Sequence, residues 1–498
     1  MTINAAALLL GGHDAAAVAL VCGNDQMTYG ALRERVACAA AAWCAAGVAI
    51  GDRVAIALPD NLDWVVAYLG VIWAGGVAVA VNPRMPPDEW HTIVSAAGFR
   101  CILAAMPTAM PTAMPTAMPT AMPTATPLAC TARMLAVDDW RGLVAGAPAI
   151  APCVMEDNAP AFWSHSSGSS GSPKAVVHAH RFARHVAGVA SDVLDVHIGD
   201  RLFASSRMFF VYPLGNSLFA GLKLGATIIL DPQWPTAATV AATVATARPS
   251  IFFSVPSMYR SLLREGFATV FAHNGVRRCV SAGEALPNAL RDEWQAQTGI
   301  KLVDGYGASE TLCLVLVDVH SGEGFVPAPG VEVAALTASD QGQPTLVHIR
   351  APTVALGYWN RPDAEALSFR DGAFCPADLF HRTESGTWRF GGREDSLVKI
   401  CGRWVDLVAL EERLIGACPD IVEAAAVAIE DEDGVASVAF FYAMKAGASS
   451  DGGIALHSLV STLPPHQRPQ SLHAVPALPR TATGKLLRRQ LATMAAAR

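Results

Sequence analysis

Short apolar stretches rich in Val and Ile alternate with longer stretches of helical period from about residue 28 to residue 350. Four of the short stretches are residues 53–58 (RVAIAL), 77–81 (VAVAV), 227–231 (TIILD) and 251–255 (IFFSV). Runs of this kind predict buried strands, and their alternation with helical stretches is typical of βαβ units around parallel sheets. The pattern therefore predicts a large, layered α/β domain.

One apolar run needs a separate interpretation. Residues 64–81 are uncharged and approach the minimum length of a membrane-spanning helix. Gly75 and Gly76 divide the run, which favours a buried helix, a glycine break and a short strand over a membrane span. The first residues, 1–14 (MTINAAALLLGGHD), lack the cationic region of a signal peptide, so they do not predict export.

Composition narrows the possible partners. Apolar residues make up 52% of the chain, and Lys+Arg 36 against Asp+Glu 43 give a net charge of -7. Such a balance offers no basic field for nucleic acid or anionic lipid. The eleven cysteines contain no CxxC pair, which predicts free thiols rather than a disulfide framework or a zinc site. We expect a cytoplasmic protein that binds neither nucleic acid nor membrane.

Two features divide the chain. Residues 106–125 carry five copies of Met-Pro-Thr-Ala, and proline at every fourth position forbids a regular helix. They predict a surface insertion between a strand ending near Leu103 and an element near Met134. After Gly391 the chain becomes charged, with a strand-turn-helix pattern. We therefore predict an N-terminal domain over 1–391 and a small α+β domain over 392–498, joined by a hinge.

Candidate chemistry begins at residues 166–174, which read SSGSSGSPK. Small side chains, backbone N–H groups and the charge of Lys174 suit a polyphosphate, although a Gly/Ser linker is the alternative. The GxxxxGK[ST] pattern of a Walker A loop is absent. Residues 304–311 (DGYGASET) place Glu310 beside Ser309 after a strand-like run, an arrangement compatible with Mg²⁺ and phosphate but also with a plain turn.

Two further loops, residues 393–395 (RED) and 478–485 (LPRTATGK), are ambiguous when taken singly. In order and spacing, the four loops together resemble the acyl-CoA synthetase, luciferase and peptide-synthetase adenylation superfamily. Residues 283–285 (GEA), residues 357–362 (GYWNRP) and Asp378 within PADLF add to this resemblance. It extends from Thr28 to the C-terminus and implies ATP-dependent activation of a carboxylic acid as acyl-AMP.

The resemblance implies a nucleotide site. Residues matching the loop on the β- and γ-phosphates are Ser166, Ser167, Gly168, Ser169, Ser170, Gly171 and Lys174. Residues matching those beside adenine are Gly283, Glu284, Ala285, Asp304 and Tyr306. Ser309 would contact the α-phosphate and Glu310 would hold Mg²⁺. Asp378 and Arg393 would take the ribose hydroxyls, a task suited to a carboxylate.

The resemblance also implies two catalytic states. Lys485 would bridge the carboxylate and the α-phosphate during adenylation, when a fixed cation stabilises developing charge. With Lys174, Ser309 and Glu310 it forms the predicted catalytic group. The C-terminal domain would then turn about Asp395, withdraw Lys485 and bring residues 399–405 to the site. The predicted coenzyme A contacts are Lys399, Gly402, Arg403 and Trp404.

The acid pocket resembles the benzoate- and anthranilate-CoA ligase branch. Its predicted lining is Phe210, Val211, Tyr212, Gly305, Ala308 and Cys313. Phe210 and Tyr212 would form a flat pocket for an aromatic ring, unless both are ordinary core aromatics. Cys313 replaces a histidine of aryl relatives and Tyr306 an Ile-type residue, so the pocket floor departs from that branch. A medium-chain acid is the alternative substrate.

Other departures leave rival functions open. Ala175 replaces a glycine, Pro376 and Ala377 replace Thr-Gly, and Ser396 replaces an aspartate of the superfamily pattern. The chain could therefore be a degenerate paralogue that binds acyl-adenylate without turnover. An enzyme that loads an acyl carrier protein is a second rival, because both acceptors present phosphopantetheine. His178 and His180 fit packing groups better than bases, since adenylation needs no general base. A homodimer is a further possibility.

Overall fold

The computed structural model describes residues 2–105, 132–167, 173–320, 322–336, 344–394, 397–400, 403–418, 420–430, 436–445, 451–479 and 486–496. The described residues form two compact units. The first lies within 1–334, 348–375 and 383–388, and the second within 335–347, 376–382 and 389–498. This mixed α/β architecture, with a large and a small unit, confirms the predicted fold class. The boundary after Gly391 stays a prediction.

The first unit contains a seven-stranded sheet. In spatial order its strands are Gly357–Tyr358, Pro173–Ala179, Pro160–Ser167, Val77–Ala80, Arg53–Ala57, Cys101–Ala104 and Arg133–Ala136. The last five run parallel, whereas Pro160–Ser167 and Pro173–Ala179 form an antiparallel hairpin. The associated helices are Tyr29–Ala45, Leu62–Trp73, Pro87–Ala97 and Val137–Gly146.

A nine-stranded sheet completes the layers of this unit. In spatial order its strands are Val326–Pro327, Leu316–Asp318, Leu302–Tyr306, Arg278–Ala282, Ile251–Ser254, Arg201–Ala204, Thr227–Leu230, Val18–Cys22 and Asp25–Thr28. The six strands from Leu302–Tyr306 to Val18–Cys22 are parallel, as βαβ alternation predicts. The helices here are Ala237–Ala247, Pro256–Arg264, Ala268–His273 and Asn288–Thr298.

The chain also contains shorter elements. They are strands Thr2–Ile3, Met155–Glu156, Glu332–Ala335, Thr345–Arg350, Phe369–Arg370, Ala373–Phe374, Asp378–Arg382 and Trp388–Arg393, and helices Ala5–Leu10, Phe182–His185, Gly188–Asp192, Val211–Pro213, Ala220–Leu224 and Pro362–Ser368. A π-helix spans Leu214–Phe219. Short π-helical turns inside helices are frequent at functional sites.

The apolar run at 64–81 folds as predicted. Asn61 is the N-cap of helix Leu62–Trp73, and its side chain accepts a hydrogen bond from the Trp64 N–H at 3.0 Å. Gly75 then adopts φ +83°, a left-handed conformation that glycine tolerates best, and the strand Val77–Ala80 follows. No helix among the described residues is long and apolar enough to cross a membrane.

The second unit has its own core. Its C-terminal elements are strands Leu397–Ile400, Arg403–Asp406, Ile421–Glu430, Ala436–Met444 and Ser471–Ala474, helices Leu407–Ala417, Asp451–Thr462 and Arg488–Ala496, and the short 3₁₀ turn Pro465–Gln467. Apolar side chains of the long strands alternate between two buried clusters, as a sheet covered by helices requires. The predicted α+β character is confirmed.

Two sequence features are only partly covered. The strands Cys101–Ala104 and Arg133–Ala136 flank the predicted insertion, in agreement with the expected strand ends, but residues 106–125 lie outside the described residues. The nine cysteines within the described part of the chain are free thiols.

Candidate active site

The predicted magnesium loop follows the strand Leu302–Tyr306 and is fixed by its own backbone. The Thr311 hydroxyl accepts a hydrogen bond from the Ala308 N–H at 2.9 Å and lies 3.0 Å from the Cys313 carbonyl oxygen. Leu312 adopts φ +65°, a strained conformation for a residue with a side chain. A Cβ atom on Gly215 would overlap the Leu312 carbonyl oxygen, so this loop packs directly on the π-helix.

Glu310 and Lys174 come together at a third residue, Tyr358. The Tyr358 hydroxyl donates to Glu310 Oε1 at 2.6 Å. Lys174 Nζ lies 3.4 Å from the same hydroxyl and 4.4 Å from the centre of the Tyr358 ring. Burial raises the pKa of Tyr358 above its ordinary value, and the charge of Glu310 raises it further. Two predicted phosphate- and metal-binding groups thus share one tyrosine.

The backbone places these three residues. Tyr358 pairs with Val176 across the antiparallel strands Gly357–Tyr358 and Pro173–Ala179, two positions beyond Lys174. The Ala355 N–H donates to the Glu310 carbonyl oxygen at 2.8 Å. Tyr358 lies within the sequence motif 357–362, but the motif does not indicate a role for it. The strand pairing that brings it to Glu310 cannot be seen in local sequence.

The predicted polyphosphate loop lies partly within the hairpin. Ser166 and Ser167 end one strand of the hairpin, and Pro173 and Lys174 begin the other, with Lys174 opposite Ser166. Strand pairing therefore extends to all three residues, and their contact with the β- and γ-phosphates stays a prediction. Gly168, Ser169, Ser170 and Gly171 lie outside the described residues. Ala175 is extended strand without a positive φ, so the backbone does not demand glycine there.

Two buried histidines support this side of the site. His178 stacks on Phe162 at 4.6 Å, and its Nε2 lies 2.9 Å from the Ser309 carbonyl oxygen. Burial lowers the pKa of His178 to about 4, so Nε2–H of the neutral ring is the donor. His180 Nδ1 accepts from the Ala5 N–H at 3.0 Å. Both are packing groups, and His178 fixes the backbone next to Glu310.

The predicted adenine residues lie at one edge of the parallel sheet. Strands Arg278–Ala282 and Leu302–Tyr306 pair with Ala282 opposite Gly305, which places Gly283 near Tyr306. Gly283 adopts φ +86°. The Glu284 carboxylate accepts from the Ser257 N–H and hydroxyl, both at 3.1 Å. Ala285 follows Glu284 and is exposed. Their contact with adenine stays a prediction.

Asp304 is buried in a charged triad that sequence reasoning missed. Arg291 Nη2 lies 3.6 Å from Asp304 and 3.3 Å from Asp318. Burial raises the pKa of Asp304 to about 7, with Asp318 also raising it and Arg291 lowering it. Arg291 precedes this strand on the helix Asn288–Thr298, and only the fold brings the three groups together.

Asp304→Asn tests this environment through the pH dependence of stability. A carboxyl whose folded pKa exceeds its unfolded value of about 3.9 binds protons more tightly when folded. Its contribution to the free energy of unfolding is complete below that value and is lost as pH rises through about 7. Chemical denaturation from pH 5 to 8 should show wild type losing stability relative to the variant. A pH-independent difference would contradict the assignment.

The predicted acid pocket adjoins the π-helix. Tyr212 lies edge-on to Phe253 at 6.2 Å and donates to the Val280 carbonyl oxygen at 3.0 Å. Phe210 is 36% exposed and contacts Phe209, so its ring is not fully buried in the core. Val211 is buried and begins the helix Val211–Pro213. Tyr212 therefore combines a packed ring with a satisfied hydroxyl.

The floor of this region comes from the magnesium loop. Cys313 is buried with Sγ 3.6 Å from the Val186 carbonyl oxygen, and burial raises the pKa of this thiol to about 12. A neutral thiol in that position is a wall rather than a nucleophile. A Cβ on Gly305 would lie 2.6 Å from Leu314 Cδ1, so a larger residue there would require the Leu314 side chain to shift. Ala308 is half-buried in the loop.

Asn216 joins the two regions and was missed in the sequence. Its Nδ2 donates to the Tyr212 carbonyl oxygen at 2.9 Å, and its Oδ1 accepts from the Leu314 N–H at 3.1 Å. One buried amide thus links the candidate acid pocket to the magnesium loop.

The ribose and coenzyme A candidates belong to the second unit. Arg393 Nη1 lies 3.5 Å from Asp378 Oδ1, so these two predicted ribose contacts are neighbours. Lys399 pairs with Trp404 in the hairpin of Leu397–Ile400 and Arg403–Asp406. Arg403 is exposed. Asp395, Gly402 and Lys485 lie outside the described residues, so their roles stay predictions.

The donor set fits magnesium brought by a nucleotide. No group of three or more His, Cys, Asp or Glu side chains that could hold a metal occurs among the described residues. Magnesium in nucleotide sites typically takes one or two carboxylates and completes its shell with phosphate oxygens and water. The single carboxylate of Glu310 beside Lys174 suits that arrangement.

Comparison with known proteins agrees with this geometry. Residues 12–359 match the AMP-binding enzyme family and residues 411–485 match the AMP-binding enzyme C-terminal domain. The chain is 35% identical to the 3-hydroxybenzoate–CoA ligase of Aromatoleum sp. (strain CIB), over 94% of this chain and 91% of that protein. It is 33% identical to the 3-hydroxybenzoate–CoA/4-hydroxybenzoate–CoA ligase of Thauera aromatica, over 96% and 93%.

A solved structure agrees over nearly the whole length. The benzoate CoA ligase from Burkholderia xenovorans LB400 superposes with a TM-score of 0.85 at 27% identity, covering 98% of this chain and 100% of that one. The chain therefore belongs to the AMP-binding, adenylate-forming enzyme family, in the branch that contains the benzoate- and hydroxybenzoate-CoA ligases.

Proposed function

We propose that this chain is an ATP- and Mg²⁺-dependent aryl-CoA ligase. It activates an aromatic carboxylic acid as an aroyl-AMP and transfers the aroyl group to coenzyme A. The observation that carries the proposal is the meeting of Glu310 and Lys174 at Tyr358. This cluster lies in a chain whose relatives are named as ligases of hydroxybenzoates.

In the first half-reaction, a carboxylate oxygen of the acid attacks the α-phosphorus of ATP and pyrophosphate leaves. Lys174 neutralises charge on the departing phosphates, and Lys485 neutralises charge on the attacking carboxylate and the α-phosphate. Glu310 would hold magnesium, which would supply further charge neutralisation for the phosphates. Ser309 contacts the α-phosphate, its backbone held by His178.

In the second half-reaction, the sulfur of coenzyme A attacks the aroyl carbonyl carbon. The bond from that carbon to the phosphate oxygen breaks, AMP leaves, and the thiol proton goes to solvent. Lys399, Gly402, Arg403 and Trp404 contact coenzyme A in this state. Residues 392–498 turn about Asp395 between the two steps, as in the superfamily that the chain resembles.

The acid is aromatic and of the benzoate or hydroxybenzoate class. Phe210 and Tyr212 supply aromatic contacts, and an aromatic ring packs against such groups better than a flexible chain does. Cys313 offers a compact, neutral wall where aryl relatives carry histidine. This smaller side chain favours acids that need no imidazole contact at the pocket floor.

The substrate class is tested by pyrophosphate release with ATP and Mg²⁺ against benzoate, 3-hydroxybenzoate, 4-hydroxybenzoate, anthranilate and medium-chain acids. We expect kcat/KM for at least one aryl acid to exceed that of every medium-chain acid by about 100-fold, because several apolar contacts distinguish the shapes. A medium-chain acid as the best substrate would overturn the aromatic assignment.

Two rivals are tested in the same assay. A carrier-loading enzyme would release pyrophosphate but form product with a phosphopantetheinylated carrier protein instead of free coenzyme A. A degenerate paralogue would bind ATP yet give no acid-dependent pyrophosphate with any acid. This second rival is considered because the chain departs from the superfamily pattern at Ala175, Pro376, Ala377 and Ser396.

A further inference from the structure

Tyr358 contacts both Glu310 and Lys174, and its hydroxyl donates a hydrogen bond to the Glu310 carboxylate. Glu310 is only 6% exposed and Tyr358 only 5%. A buried carboxylate needs a donor to hold its position, because an unsatisfied polar group in the interior is costly. The Tyr358 hydroxyl therefore holds the carboxylate of Glu310, the candidate magnesium ligand, in position.

Tyr358 lies between Lys174 and Glu310 and contacts both side chains. The Lys174 ammonium lies against both the oxygen and the ring face of Tyr358. A cation beside the hydroxyl oxygen polarises the O–H bond and strengthens its donation to Glu310. The ring face also attracts the ammonium through its π-electrons and restricts where Lys174 can lie. One side chain thus sets the position of a carboxylate and of a cation.

Tyr358 is itself held firmly. Its N–H donates to Glu365 Oε2 at 3.2 Å, and its ring lies edge-on to Phe369 at 5.3 Å. Gly357 adopts φ +149°, and a Cβ there would lie 2.6 Å from Glu365 Oε2. The backbone before the ring therefore packs on the helix Pro362–Ser368, and little freedom remains for the hydroxyl.

We propose that Tyr358 is a positioning residue that orients Glu310 for magnesium and Lys174 for the ATP phosphates. The hydroxyl occupies one carboxylate oxygen and leaves the group able to bind the ion with the other. This inference rests on the proposed function, since it assigns both partners to the nucleotide site. The two roles can be tested separately, because the hydroxyl orients Glu310 for magnesium and the ring orients Lys174.

The test is ATP binding by isothermal titration calorimetry, with Mg²⁺ and, separately, with EDTA. Tyr358→Phe removes the hydroxyl and keeps the ring, so Mg–ATP should bind about tenfold more weakly while ATP in EDTA binds within about twofold of wild type. Tyr358→Leu removes the ring as well, so binding in EDTA should also weaken, by about threefold.

Tyr68→Phe is the matched control, because Tyr68 is fully buried and its hydroxyl has no hydrogen-bond partner among the described residues. This variant should bind ATP like wild type in both conditions. Equal weakening of Tyr358→Phe with Mg²⁺ and with EDTA, or no weakening, would overturn the proposal.

A second comparison tests whether the Tyr358 hydroxyl acts through Glu310, with thermal melting confirming that each variant is folded. The Mg²⁺-dependent gain in ATP affinity should be lost in Glu310→Gln, and adding Tyr358→Phe to that variant should change it no further. Additive losses would show that the two residues act separately. Acid-dependent pyrophosphate release by wild type tests the proposed function on its own, because neither binding result depends on turnover.

Discussion

Lys485→Ala should lower the rate of acyl-AMP formation by about 10²- to 10³-fold, while thioester formation from supplied acyl-AMP stays within about threefold of wild type. The reason is the division of labour implied by the sequence resemblance. A fixed cation is needed when charge builds between the carboxylate and the α-phosphate, and that charge is absent from thiol attack on a carbonyl. Rapid-quench measurement of each half-reaction gives the two rates.

Lys445→Ala is a suitable control, because Lys445 is exposed and has no assigned role. Both half-reactions should proceed as in wild type. Equal losses in the two half-reactions of Lys485→Ala would contradict the assignment of Lys485 to adenylation alone.

Glu310→Gln should reduce adenylation by about 100-fold or more, with partial recovery at high Mg²⁺ concentration. Glutamine has nearly the same shape and can still accept the hydrogen bond from Tyr358, which lies at 2.6 Å in the native protein. The change therefore removes charge while preserving packing. Initial rates of pyrophosphate formation across a range of Mg²⁺ concentrations measure the effect.

Glu323→Gln provides the comparison for this variant, since Glu323 is exposed and neutralising it changes the net charge equally. Its rates and its Mg²⁺ dependence should match wild type. Wild-type rates in Glu310→Gln would show that Glu310 does not bind the magnesium ion.

The fold was predictable where local pattern determines it. The glycine pair at residues 75 and 76 identified the turn between the helix Leu62–Trp73 and the strand Val77–Ala80. Val- and Ile-rich runs marked the parallel strands because such strands are buried on both faces. The antiparallel hairpin at Lys174 was not predicted, because its flanking serines lack the β-branched composition of a strand.

The candidate site was predictable only as separate pieces. Lys174 and Glu310 stood out because phosphate and metal chemistry limits which side chains can serve. Tyr358, Asn216 and Arg291 did not, because each acts through a contact more than 10 residues away along the chain: Tyr358 and Glu310 are 48 apart, and Asn216 and Leu314 are 98 apart. Such contacts depend on strand order and helix placement, which a local motif does not encode.

The most direct test of adenylate chemistry is the fate of a heavy-oxygen label in the carboxylate of the best aryl acid. Attack of the carboxylate on the α-phosphorus, followed by cleavage at the carbonyl carbon, should place one labelled oxygen in AMP for each thioester formed with coenzyme A. Mass spectrometry of the AMP measures this transfer. Unlabelled AMP, or label in inorganic phosphate, would contradict an aroyl-AMP intermediate.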